Sequence, residues 1–98
     1  MRLRFATRDL ERICADARRM QRVLGAQVAK PLKLRIAELT RVEEMADLLV
    51  GTGRWEELNA DRAGQWSARL TSNKRLIVQP VDGEDAAVLV VEIIDYHH

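Results

Sequence analysis

The sequence predicts an α+β domain in which a short N-terminal strand and two to three helices precede a mostly antiparallel sheet, with the helices on one face. The first half of the chain repeats its apolar residues at steps of three and four, as amphipathic helices do. After the "GTG" at 51–53 the apolar residues alternate instead, as they do in strands with one buried face. The change of period separates a helical half from a sheet.

The N-terminal elements follow from local signals. "RLRFA" alternates and predicts the first strand. Thr7 is a suitable N-cap for a single amphipathic helix that ends at Gly25, a C′ residue. Its apolar stripe consists of Leu10, Ile13, Ala17, Met20 and Leu24. The opposite face carries Arg8, Arg12, Arg19 and Arg22, which either form a solvated surface or contact RNA.

A second helix is predicted around Pro31, which removes one amide donor from its first turns. Its apolar residues are Val28, Leu32, Ile36 and Leu39. Thr40 and Glu43 fit a capping box, which predicts a short third helix that reaches Leu49.

Four strands are predicted in the second half, at 54–58, 65–70, 74–79 and 87–94. Asp82 and Gly83 favour a hairpin between the last two. The final strand is apolar on both sides, so we expect it in the middle of the sheet. Unbroken alternation would place Val88, Val90, Glu92, Ile94 and Tyr96 on one side and Leu89, Val91, Ile93, Asp95 and His97 on the other.

Composition indicates one domain spanning 1–98. The chain is 47% hydrophobic and 32% charged, and its longest apolar run is too short to cross a bilayer. Residues 1–41 carry eleven basic and four acidic side chains, whereas 42–98 carry five basic and eleven acidic ones. The arginine-rich half is compatible with a nucleic-acid or acidic-protein partner. A single cysteine, Cys14, and the absence of a signal-peptide pattern favour a cytoplasmic protein without disulfides.

The chain finishes in "EIIDYHH", which places an acid, a phenol and two imidazoles in a row. Together with an arginine from the 74–79 strand, such groups suit RNA cleavage. That reaction needs a base for the ribose 2′-OH, an acid for the leaving 5′-oxygen and cations for the phosphorane. Neither a metal nor a cofactor is required. A metal site at Asp95, His97 and His98 is an alternative with generic spacing, and His98 alone is read as an exposed residue or a tag remnant.

Three segments, "LNADRAGQWS", "NKRLIVQP" and "EIIDYH", resemble the HigB branch of the RelE-like toxins, which belong to bacterial toxin–antitoxin pairs. The resemblance implies the RelE-like fold and a toxin that cleaves mRNA on the 70S ribosome without a metal, leaving a 2′,3′-cyclic phosphate. It also implies neutralisation by a HigA-like helix-turn-helix antitoxin, through which alone the pair would bind operator DNA.

Carried over position by position, the resemblance assigns catalysis to the terminal Asp95, Tyr96 and His97. Arg75 would hold the scissile phosphate. The loop motif Leu-Lys-Gly-Asp-Arg-x-Gly is matched at Asp61, Arg62 and Gly64. We expect Arg62, Asn59 and Arg69 to contact substrate.

Two positions depart from the family pattern. Asn59 and Ala60 replace the lysine and glycine of the loop motif, and Glu56 lies where a histidine is common. Glu56 remains a candidate base. The alternative is therefore a weakened or inactive toxin homologue that serves as an antitoxin-binding and co-repressor module.

Overall fold

Five strands form one mixed sheet in the computed structural model, which describes residues 1–84 and 86–95. The strands are β1 (Arg2–Phe5), β2 (Glu56–Glu57), β3 (Trp66–Arg69), β4 (Lys74–Pro80) and β5 (Ala87–Asp95). The helices are α1 (Arg8–Ala15), α2 (Ala17–Leu24) and α3 (Ala26–Arg41), with 3-10 turns at Met45–Val50 and Ala60–Arg62. The strand order is β1-β5-β4-β3-β2, in which only β1 and β5 are parallel. The α+β prediction is confirmed, and β5 lies inside the sheet as expected.

The first predicted helix is interrupted at Asp16, which separates α1 from α2. The backbone of Asp16 is extended, and its carboxylate accepts hydrogen bonds from the amides of Arg18 (3.0 Å) and Arg19 (3.2 Å). Asp16 therefore acts as an N-cap in the middle of an apolar pattern that runs on without a break. The prediction of one continuous helix was wrong here, whereas its end at Gly25 is confirmed.

The third predicted helix is replaced by a 3-10 turn that starts later. Thr40 is still inside α3, where its hydroxyl donates to the Ala37 carbonyl at 2.8 Å, so it caps nothing. The turn Met45–Val50 begins instead at Glu44, whose amide donates to the Asp47 carboxylate at 3.3 Å. Its apolar residues Met45 and Leu48 pack on the core.

The core lies between the helices and one face of the sheet. α3 contributes Leu32 and Leu39, and β4 contributes Leu76 and Val78, all without exposed surface. Each such side chain stabilises the fold by roughly 1.5–3 kcal/mol relative to its exposed state. None of α1, α2 and α3 lies on the opposite face, which is called here the open face.

A β-bulge in β5 decides which side chains reach the open face. Val78 pairs with Val90, but Ile77 pairs with Glu92, so Val91 is an extra residue with no partner on β4. Beyond it, Ile93 lies on the core face with Val90, and Glu92 and Ile94 lie on the open face. The prediction that β5 alternates without interruption was therefore wrong from residue 91 onward.

In the part of the chain that the structure describes, no helix is long and apolar enough to span a membrane.

Candidate active site

Two cross-strand rows of side chains define the relevant end of the open face. In one row Glu56, Ser67, Ile77 and Glu92 follow one another from β2 to β5. In the next row Arg69 on β3 lies opposite Arg75 on β4, which lies opposite Ile94 on β5. Directly opposed side chains share a face, so Glu56 and both arginines lie on the same side of the sheet.

An open cleft of about 360 Å³ lies at this end of the sheet. We call it the arginine cleft, and it is lined by Arg54, Trp55, Glu56, Arg69 and Arg75. Three guanidinium groups and one carboxylate line it, so the cleft has a positive balance. Such a balance suits a phosphate or another anionic group.

Arg75 is oriented by the turn that precedes it. Its Nη1 donates to the carbonyls of Thr71 at 2.7 Å and Lys74 at 3.1 Å, and that turn is itself closed by the Thr71 hydroxyl, which accepts from the Lys74 amide at 3.0 Å. A guanidinium fixed at one end by carbonyls loses less conformational entropy when it binds a ligand. The β3–β4 turn thus holds the arginine that the sequence assigned to the scissile phosphate.

The loop between β2 and β3 lies across the middle of the open face. Arg62 donates to Gln65 at 2.8 Å and to Glu92 at 3.2 Å, and Gln65 donates to Gln79 at 3.2 Å. Ile77, although on the open face, is fully buried. Arg62 is thus engaged in holding the loop, and exposed Asn59 lies where the 3-10 turn begins. Neither residue lines the arginine cleft.

Because of the bulge, the side chain of Asp95 lies on the face of the sheet opposite the open face. Asp95 pairs in register with Lys74, and their charged atoms are 3.6 Å apart, whereas the neighbouring pair of Arg75 and Ile94 faces the opposite way. The structure thus brings Glu56, Arg69 and Arg75 together and places Asp95 on the opposite face from them. The remaining predicted catalytic residues, Tyr96 and His97, and the unassigned His98, lie outside the described residues.

Sequence reasoning missed two residues of the cleft, Arg54 and Trp55. Both were predicted in a strand at 54–58, whereas they lie in the segment that links the 3-10 turn Met45–Val50 to β2 (Glu56–Glu57). The sequence feature that could have indicated this segment is the "GTG" at 51–53, since glycines often mark a close approach of the backbone to another group.

Other reactive groups in the described residues do not point to a site. Partial burial raises the pKa of the Cys14 thiol to about 11, so at neutral pH it is protonated and a poor nucleophile. Within 1–84 and 86–95, no three His, Cys, Asp or Glu side chains are arranged to hold a metal ion.

Comparison with solved structures identifies the architecture. The YoeB/ParE toxin from Agrobacterium tumefaciens matches with a TM-score of 0.69 at 19% sequence identity, and the match covers 100% of both chains. The YoeB–YefM complex from Staphylococcus aureus matches with a TM-score of 0.66 at 17% identity over 100% of this chain and 98% of that one. The YoeB dimer from the same organism gives 0.64 at 17% identity.

No protein-family model and no curated protein matches the sequence. The structural matches are to YoeB and ParE toxins, so they support the RelE-like fold expected from the sequence but not its HigB branch. With full coverage of the chain, they show that this protein has the fold of the YoeB/ParE-type toxins.

Proposed function

We propose that the protein is the toxin of a toxin–antitoxin pair and that it cleaves mRNA at the arginine cleft. The observation that carries the proposal is the facing pair Arg69 and Arg75, with Glu56 on the same face and in the same cleft. Two opposed arginines with one carboxylate fit a phosphodiester and a base that acts beside it. The YoeB-type fold supports the toxin assignment.

The proposed reaction needs no group from outside the chain and its RNA. Glu56 removes the proton of the ribose 2′-OH, and the 2′-oxygen attacks the neighbouring phosphorus. Arg75 and Arg69 bind the phosphate oxygens, on which negative charge builds in the transition state. The bond to the 5′-oxygen breaks, and that oxygen takes a proton from an acid, a role that we assign to His97, one of the three terminal residues to which the resemblance gives catalysis. The products are a 2′,3′-cyclic phosphate and a 5′-hydroxyl.

In this mechanism the carboxylate of Glu56 has a defined role, as the base that removes the 2′-OH proton. A carboxylate repels phosphate, but the three arginines of the cleft outnumber it. The departure from the histidine of the HigB pattern is therefore compatible with activity. Asp95, on the opposite face, is omitted from the proposed catalytic group, and Tyr96 stays in it as a prediction from the sequence.

We further propose the translating ribosome as the setting and an antitoxin as the partner. The expectation of a ribosomal substrate rests on the sequence resemblance. A protein that acts on ribosomes would act in the cytoplasm. One structural neighbour is a complex of YoeB with YefM, which is a reason to expect a partner of that kind, as well as the HigA-like type that the sequence suggested. Binding to operator DNA would then occur only through the antitoxin.

A second candidate is a toxin homologue that binds an antitoxin without cleaving RNA. It is favoured by Asn59, where the loop motif carries a lysine, and by Arg62, whose guanidinium is engaged by Gln65 and Glu92. Under this reading, cleavage stays absent even in an Asn59→Lys variant.

Induction of the chain alone, and with its neighbouring gene, separates the two candidates. The toxin reading predicts growth arrest and new mRNA ends at translated codons, both relieved by the neighbour. The binding-module reading predicts a stable complex with the neighbour's product and unchanged growth and mRNA. Absence of both cleavage and complex formation would contradict both.

A further inference from the structure

We propose that Arg54 is a further substrate-contacting residue, which binds a phosphate next to the one held by Arg75 in the arginine cleft. The inference rests on the proposed RNA-cleaving function and extends it to a second phosphate of the strand. It is carried by the backbone conformation of Arg54, by the buried groups beneath its loop and by the charges of the cleft.

Arg54 has a left-handed backbone, with φ of 51°. This conformation is unfavourable for a residue with a Cβ atom, and it persists only where the surrounding structure imposes it. Strained residues of this kind concentrate at binding and catalytic sites. Here the strained residue carries a guanidinium and lines the arginine cleft.

The neighbouring residue ties this loop to the sheet. The Gly53 carbonyl accepts a hydrogen bond of 2.9 Å from the Arg69 amide. The loop is therefore bound to the edge of β3 at Arg69, the residue that lies opposite Arg75. The backbone of Arg54 is thus held beside a residue that already belongs to the proposed site.

A buried ion pair supports the loop from the core side. Arg35 on α3 is 7% exposed, and its Nε is 2.8 Å from Oε1 of Glu38. A Cβ atom on Gly53 would approach Arg35 Nη1 to 2.3 Å and Trp55 Nε1 to 2.6 Å. Gly53 therefore has to be a glycine for lack of space, and the loop cannot sink toward the core. The side chain after it is consequently presented to the cleft.

The charges of the cleft also favour an anionic ligand beside Arg54. Within the described residues, neither Arg54 nor Arg69 has a carboxylate within salt-bridge distance, although Glu56 lines the same cleft. An anion that extends past the site of Arg75 and Arg69 would neutralise the charge of Arg54. Single-stranded RNA has such successive phosphates.

The test uses Arg54→Asn and Arg54→Gly in the full chain. Asparagine and glycine both tolerate the left-handed conformation, so the substitutions remove the charge and relieve the strain. The matched control is Ala86→Gly, which relieves a φ of 52° away from the cleft. The probe is a short fluorescent single-stranded RNA with 2′-O-methyl groups throughout, which cannot be cleaved. Its affinity is measured at several salt concentrations, alongside the thermal midpoint of each protein.

The expected result is that stability and binding change independently. Both Arg54 variants should keep or raise the wild-type midpoint yet bind RNA about tenfold more weakly. The slope of log affinity against log salt should fall by about 0.7, the value for one single-strand phosphate contact. Ala86→Gly should keep the wild-type affinity and slope.

Three outcomes would overturn the inference. RNA binding with wild-type affinity and slope by both Arg54 variants, while Arg75→Ala weakens it, would remove Arg54 from the site and leave the proposed function standing. A lower thermal midpoint with weaker binding would show a structural role for Arg54. Failure of the wild-type protein to bind the RNA would contradict the proposed function itself.

Discussion

Arg69 and Arg75 lie directly opposite each other on adjacent antiparallel strands, with both side chains on the open face of the sheet. Like charges in this arrangement disfavour the pairing of the strands. A fold that keeps them together gains from the pair in some other way, and binding of an anion is the simplest explanation. The position of Glu56 on the same face then suggests chemistry on that anion.

Replacing Arg75 should strongly reduce RNA cleavage. Arg75→Ala removes the cation proposed to bind the scissile phosphate, and we expect cleavage to fall at least about a hundredfold, as for loss of one preorganised donor. Arg75→Lys should restore little, because an ammonium lacks the planar fork of a guanidinium. Cleavage assays with end mapping measure both. Wild-type cleavage by Arg75→Lys would show that only a point charge is needed there.

Glu56→Gln should separate binding from cleavage. Removing a carboxylate from a cleft with three arginines should strengthen the binding of uncleavable RNA, because a repulsive charge is lost. Cleavage should nevertheless fall by about 10²–10⁴-fold, because an amide is not a base. Glu57→Gln is the matched control, since that side chain points to the other face of β2. Equal losses in both variants would argue against a base at position 56.

Gly53→Ala should destabilise the fold, because the added methyl group would meet the rigid ring of Trp55 at 2.6 Å (Nε1) and 2.8 Å (Cδ1), as well as Arg35 Nη1 at 2.3 Å. Overpacking of this kind costs about 1–3 kcal/mol of the free energy of unfolding. Gly51→Ala is the control, since its Cβ would meet the end of the Glu38 side chain at 3.2 Å and the Leu48 carbonyl oxygen at an ordinary contact distance of 3.5 Å. Urea denaturation of both variants measures the difference. A Gly53→Ala protein as stable as Gly51→Ala would show that the loop is not closely packed on Arg35.

The ion pairs of Glu84 should make stability depend on pH at the acid end. Its hydrogen bond with Arg4, where Nε donates at 2.7 Å, and its charge interactions with Arg4 and Arg2 lower the pKa of the Glu84 carboxyl. The unfolded chain thus binds a proton at Glu84 more readily than the folded one. The contribution of Glu84 is present above the ordinary pKa that its carboxyl has in the unfolded chain, and it is lost as pH falls through the lower folded pKa.

The comparison that tests this is the urea midpoint of wild type and Glu84→Gln at neutral and acidic pH. Wild type should be the more stable protein at neutral pH, and the difference should shrink below about pH 4. A difference that is constant across the whole range would mean that the charge of Glu84 contributes nothing.

The sequence predicted the elements of this fold better than the faces of its last strand. Every predicted strand is present, because alternation over several residues is a strong local signal. The bulge at Val91 could not be seen, because apolar residues on both sides of a buried strand look the same with or without one inserted residue. That single residue moves Asp95 from the side of Arg75 to the opposite side.

The candidate site was predictable where it lies on strands and not where it lies on loops. Arg75 was expected both from its strand and from the family resemblance, Glu56 from the resemblance, and Arg69 as a substrate contact. Arg54 has a left-handed backbone in a loop that packs on Arg35 of α3, a distant part of the chain, and strand alternation predicts neither feature. The break between α1 and α2 had a local signal that the sequence analysis missed. Asp16 is of a residue type strongly preferred at the N-cap, and it caps α2.

The most direct test of the central claim is the mapping of mRNA ends on translating ribosomes incubated with purified protein. Wild type should produce new ends with 2′,3′-cyclic phosphates, and Arg75→Ala should produce them at least about a hundredfold more slowly. Lys33→Ala, which removes an exposed cation from α3 on the opposite face of the sheet, should cleave as wild type does. Intact mRNA with the wild-type protein, or equal cleavage by Arg75→Ala, would contradict the assignment of the arginine cleft as the site of RNA cleavage.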